Sequence, residues 1–131
     1  MIIDLISFGF KDNNLPAANH IIDVRLLNNP FYIDELRSLN GLDKEVIEFF
    51  EKDKGVKIFL EILTKWIEYL LEANNNANKE KIIIAIGCTG GQHRSPYIVE
   101  YIAKTLIKKK SISELAIYHT TLKKYNVFVP S

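Results

Sequence analysis

"KIIIAIGCTGGQHRSPYIVEYIAKTLIKKK", residues 81–110, carries the pattern on which the fold turns. It opens with Lys81 and a short isoleucine-rich run, which is the composition of a buried strand. Further on, Tyr97, Ile98, Tyr101, Ile102 and Leu106 recur at helical spacing, predicting a helix from about Ser95 to Lys109. Between the two lies "GCTGGQHRS", residues 87–95, with three of the chain's six glycines and its single cysteine. Strand, glycine loop and helix form the unit of layered α/β folds, in which ligands bind outside the carboxyl ends of the strands.

Working outward, short apolar runs predict further strands near 2–8, 20–26 and 114–118. "IIDLISF" and "KIIIAIG" read as buried on both faces. Two helices are expected between the second and third strands. "DKEVIEFFEKDK" presents Val46, Ile47, Phe49 and Phe50 behind a capping Asp43, and "VKIFLEILTKWIEYLLEA" presents Ile58, Phe59, Ile62, Leu63, Trp66, Ile67, Leu70 and Leu71. The expected class is α/β, a single-layer, mostly parallel or mixed sheet of about four strands flanked by helices.

The chain's 131 residues show no linker and no internal repeat, so 1–131 is expected to be a single domain. Seventeen Lys and Arg against sixteen Asp and Glu leave a net charge of +1, so any anion site must be local. One cysteine builds neither a disulfide nor a thiolate metal site, and the dispersed histidines have no zinc spacing; no metal or cofactor is expected. "MIIDLISFGF" carries Asp4 and lacks a basic leader, and no run reaches the roughly 18 apolar residues of a membrane span. A cytoplasmic setting without membrane contact is the expectation.

Glycines in the loop let a ligand approach main-chain N–H groups without an intervening Cβ. Ser95 followed by Pro96 suits a cap and first helical residue, turning the helix's positive end toward the loop. Arg94 offers a forked grip on phosphate, Thr89 and Gln92 add neutral donors, and His93 adds a group that charges near neutral pH. The bland alternative is a turn without a ligand. The sharper one is a cysteine-dependent phosphatase, because Cys88 to Ser95 satisfy C-x-x-G-x-x-R-[ST], with Cys88 as nucleophile and Arg94 as anion clamp. The Walker pattern is absent, since no lysine stands where it requires one.

Four other residues fall near predicted strand ends. Lys11 follows the first strand and His119 the fourth, on the edge that carries the loop. Asp23 and Arg25 pair either with one another or with a ligand. Lys108 to Lys110, with Lys123 and Lys124, are the basic clusters; solvated helix ends are their usual role.

"SFGFK", "DVRLLNNPFY", "LRSLNGLDKEV" and "IAIGCTGGQHRS.YI.E", in that order from Ser7 onward, resemble the carboxyl-terminal domain of the RapZ family of RNase adapter proteins, over a span reaching about Lys123. The resemblance implies an α/β domain with a sugar-phosphate pocket that senses glucosamine-6-phosphate and partners a small regulatory RNA and an endoribonuclease. It points to Thr89, Gly90, Gly91, His93 and Arg94 in the pocket, with Lys11, Asp23, Arg25 and His119 as second contributors. Full-length members place a Walker-loop domain in front, and with nothing before Met1 nucleotide binding is not expected to carry over. Other departures are Thr120 after His119 in place of arginine, Pro96 for an aliphatic residue, Phe31 where some members carry histidine, and a less basic tail, which weakens contacts to a nucleic-acid backbone. The favoured expectation is a non-catalytic sensor or adapter for an amino-sugar phosphate or similar anionic metabolite, contacted through Gln92 and Ser95 as well as the residues above. A bare RNA-binding domain is the third reading, and oligomer formation stays open.

Overall fold

The computed structural model describes residues 1–130. Five strands form one sheet in the order β2-β3-β1-β4-β5, with β1 Ile2–Gly9, β2 His20–Asp23, β3 Lys81–Cys88, β4 Glu114–His119 and β5 Lys124–Phe128. β1 runs parallel between β3 and β4, β2 runs parallel to β3, and β5 returns antiparallel along β4. The α/β class and mostly parallel sheet agree with the sequence reading. β5 is an addition to it, and β2 stops at Asp23, short of the expected residue 26.

Register explains where the core lies. Ile3 stands between Ile82 and Leu115, and Leu5 between Ile84 and Ile117, so these buried aliphatics share one face of the sheet. They join Val46, Phe50, Leu63, Ile67, Ile98 and Leu106 from the helices in a single apolar cluster. Removing a Leu or Ile side chain fully from water stabilises by about 1.5–3 kcal/mol. On the opposite face Ile2, Asp4, Ile6 and Ile83 are only half-buried while Phe8 and Ala85 are buried, so the expectation that β1 and β3 are buried on both faces holds only toward their carboxyl ends.

Four helices, α1 Asp34–Arg37, α2 Lys44–Glu51, α3 Lys54–Asn76 and α4 Arg94–Leu106, contribute residues to that cluster. α3 buries Val56, Leu60, Leu63, Ile67, Leu70 and Leu71. Ile58, Ile62 and Trp66, expected in its buried stripe, are exposed, because its apolar residues span a wider arc than the core covers. The Asp53 carboxylate caps α3 by accepting from the N–H groups of Gly55 and Val56. Asp43 is the N-cap residue of α2 but makes no side-chain cap bond, its carboxylate accepting from the Asn40 N–H instead. Among the described residues no helix is long and apolar enough to cross a membrane.

Candidate functional site

The glycine loop leaves the carboxyl end of β3 beside the ends of β1 and β2. The Lys11 N–H donates to the Thr89 carbonyl at 3.1 Å, and the Val24 N–H donates to that of Gly87 at 2.9 Å. Gly91 takes φ +72°, in the left-handed region, and a Cβ there would strike the Thr121 hydroxyl. Gly9 also lets the loop pack close, since a Cβ on it would stand 2.8 Å from the Gly90 carbonyl carbon.

α4 begins at Arg94 with His93 as N-cap residue, which corrects the expected Ser95 cap. Ser95 and Pro96 lie inside the first turn, where a missing N–H breaks no helical bond. The Ser95 hydroxyl, fully buried, donates instead to the Phe8 carbonyl at 3.2 Å, and lies 3.2 Å from Cys88 Sγ. That sulfur also accepts from the N–H groups of Gly91 and Ser95.

A cavity of about 270 Å³ opens over this loop, lined by Lys11, Asn29, Phe31, Tyr32, Cys88, Thr89, Gly90, Gln92, His93 and Arg94. Of the residues singled out in the sequence, Lys11, Thr89, Gly90, Gln92, His93, Arg94 and Cys88 are thus brought together. Gly91 and Ser95 shape the loop without lining the cavity. Asn29 and Tyr32 are additions; their signal is the "NNPFY" block, in which Asn29 caps a short 3-10 turn by accepting from the Phe31 N–H.

The polar side chains do different work from one another. Arg94 is buried, and its Nη1 donates to the carbonyls of Arg25 at 2.8 Å and Leu27 at 3.0 Å, while Nη2 reaches the Thr89 hydroxyl at 3.4 Å. Neutral acceptors fix the fork while leaving its charge without a carboxylate partner among the described residues. The Gln92 amide donates to the carbonyls of Arg37 and Leu39, and His93 Nε2 donates to that of Leu36, stapling residues 36–39 onto the loop. Burial pushes the His93 pKa below the ordinary imidazole value, the Leu36 bond opposing it, so the ring is neutral at pH 7. That direction runs against the charge that the sequence reading gave His93. The Lys11 ammonium lies beside Gly90, 3.9 Å from where a Cβ on that glycine would be.

Asp23, Arg25 and His119 stand outside the cavity lining. Arg25 grips Asp23 in a fork of 2.8 to 3.1 Å and stacks over the Phe10 ring at 4.0 Å. Its hydrogen bonds hold the Asp23 carboxyl below the usual aspartate value. His119 lies between the Ser7 hydroxyl and the Glu100 carboxylate.

The family model described as the RapZ C-terminal domain matches residues 1–123. The chain belongs to the RapZ C-terminal domain family. It is 42% identical over 123 residues to a nucleotide-binding protein of Lactobacillus helveticus, covering 94% of this chain and 41% of that protein. A nucleotide-binding protein of Listeria monocytogenes is 40% identical over 122 residues, with 93% and 41% covered. One from Staphylococcus aureus is 42% identical over 104 residues, with 79% and 34% covered. The chain thus spans about two fifths or less of these relatives' length, and the nucleotide binding in their names is said of the whole proteins. In this RapZ C-terminal domain the cavity falls within the matched span, as do all its lining residues.

Proposed function

We propose that this RapZ C-terminal domain is a non-catalytic binding module for a small phosphorylated sugar, of the amino-sugar class to which glucosamine-6-phosphate belongs, and reports occupancy to a partner in the cytoplasm. One observation carries this reading: two cations, Lys11 and Arg94, face a cavity lined by the glycine loop and by no carboxylate. A phosphate monoester carries about −1.5 to −2 charges near pH 7 and matches them. Thr89 and the N–H groups around Gly90 are the neutral donors for its oxygens. The family's adapter character supports the partner role, with a small RNA or an endoribonuclease as the partner to test.

For RNA, the geometry separates the two basic clusters. Lys108 to Lys110 precede β4, Lys123 and Lys124 follow it, and the Lys109 ammonium is paired with Glu68 at 2.7 Å. A cysteine phosphatase would need an acid for its leaving group, and no carboxylate lines the cavity.

Calorimetric titration with sugar phosphates, inorganic phosphate and the unphosphorylated sugars tests the proposal. Saturable binding that requires sugar and phosphate together, and is lost in Arg94→Ala with the fold retained by circular dichroism, is the expected result. No binding of any sugar phosphate at millimolar concentration overturns it.

A further inference from the structure

A second cavity, of about 210 Å³, opens where α2 and α4 meet the turn at Gly41 and Leu42, and it shares no lining residue with the anion cavity. Glu51, Glu100 and Lys104 line it, so two carboxylates against one ammonium leave one negative charge. Glu51 is the last residue of α2, the end at which a negative charge opposes the helix dipole, and it forms no ion pair among the described residues. Glu100 gives Oε2 to His119, and its other oxygen has no partner among the described residues.

Tyr97 lines the same cavity and is only 7% exposed, its ring stacked on Phe50 at 4.6 Å. Its hydroxyl has no hydrogen-bond partner among the described residues. No side-chain polar atom sealed inside the described residues lacks one, so this hydroxyl opens into the cavity. Burial first, and then the charge of Glu51, hold its pKa above the ordinary tyrosine value, so it stays protonated with a lone pair to offer. A buried hydroxyl and two carboxylates on one wall call for a group that donates to all of them.

A guanidinium meets that need. It is a planar fork of N–H donors, it stacks on an aromatic face such as Tyr101, and its single positive charge cancels the negative charge that remains. The cavity is smaller than the roughly 300–1,000 Å³ of small-molecule pockets, which suits one side chain with its methylene stem on Leu42 and Ile47. The chain's own arginines are committed: Arg25 to Asp23, Arg37 to Asp34, and Arg94 to the carbonyls of Arg25 and Leu27. A second copy of this chain therefore has none to give.

We propose that this cavity is a docking pocket for an arginine side chain of a different protein, held by Glu51, Glu100 and the Tyr97 hydroxyl and stacked on Tyr101. The proposal is independent of the phosphosugar reading, since the two cavities have separate walls.

The test titrates the folded chain with the capped peptide acetyl-Gly-Arg-Gly-amide, and with the same peptide carrying lysine or uncharged citrulline for arginine, following backbone amide shifts by NMR. Saturable shifts at Gly41, Leu42 and Tyr101 are expected for the arginine peptide, with lysine weaker and citrulline weaker by on the order of tenfold. Glu51→Gln and Tyr101→Leu should each weaken the arginine peptide about two- to fivefold. Tyr97→Phe should weaken it about tenfold without loss of stability toward urea, because that hydroxyl bonds to nothing in the fold.

No saturable shift at millimolar arginine peptide overturns the proposal. So does citrulline binding as tightly as arginine, or arginine binding that is unchanged in Glu51→Gln and Tyr101→Leu, each folded by circular dichroism. Equal binding of the lysine peptide overturns the guanidinium assignment.

Discussion

The Ser7 hydroxyl lies 2.6 Å from His119 Nδ1, joining the end of β1 to the end of β4 within the core. The same ring's Nε2 donates to the Glu100 carboxylate at 2.8 Å. Thr120, the next residue, returns its N–H and hydroxyl to the Ser7 carbonyl. His119 thus ties three elements together behind the loop.

His119→Ala is therefore expected to act on stability. It leaves the buried Ser7 hydroxyl without its partner, a loss of about 1–3 kcal/mol. Urea unfolding measures it, and Ser7→Ala with His119→Ala should cost less than the two single changes added together. Strict additivity would mean that the pair is not coupled.

Gly91→Ala meets two obstacles of different kinds. The left-handed φ costs an L-residue about 1–2 kcal/mol, and the new methyl strikes the Thr121 hydroxyl. Adding Thr121→Ala removes the collision but not the backbone cost. Thermal unfolding should show a fall in melting temperature for Gly91→Ala and only partial recovery in the double variant; full recovery would mean that the conformation itself is not strained.

The expectations that failed are those in which local sequence held too little information. β5 escaped notice because its hairpin turn places Lys123 at φ +56°, where glycine or asparagine would have signalled a reversal. α3 carries Ile58, Ile62 and Trp66 at helical spacing with its core residues, and periodicity alone does not say which part of a wide apolar arc the sheet covers. At the loop, glycine content and the Arg94 position were legible, because a strand-to-helix turn dictates them. Gln92 and His93 were not legible as staples, since the carbonyls they bind lie 53 to 57 residues earlier in the chain.

The His93 pKa gives the chain a distinct pH signature. Its folded value lies below the unfolded value of about 6.5, so between the two the unfolded chain binds more protons and stability rises with pH. The contribution is complete above about pH 6.5 and is lost as pH falls from there through the folded value. Asp23 also loses stability toward acid, but only below its unfolded value near 3.8, and its exposed pair with Arg25 contributes little. Urea midpoints measured from pH 8 to pH 5 should therefore decline below about 6.5 in the parent chain and flatten in His93→Gln. A decline that persists unchanged in His93→Gln would assign the signature to another group.

Cys88 gives the last prediction, because its surroundings resemble a thiolate cradle while its position limits what it can do. Sγ accepts from two backbone N–H groups, at 3.2 Å from Gly91 and 3.5 Å from Ser95, yet the residue is only 2% exposed and no carboxylate lines the cavity to protonate a leaving group. Its bonds hold the loop closed, and under the proposed reading the phosphate grip falls to Lys11 and Arg94. Cys88→Ser keeps a hydrogen-bond acceptor of similar size, so sugar-phosphate affinity should stay within about threefold of the parent chain. The parent should release no phosphate from a phosphomonoester above the uncatalysed rate in a malachite-green assay. Turnover that disappears in Cys88→Ser while ligand binding persists would reverse the assignment and make the sulfur a nucleophile.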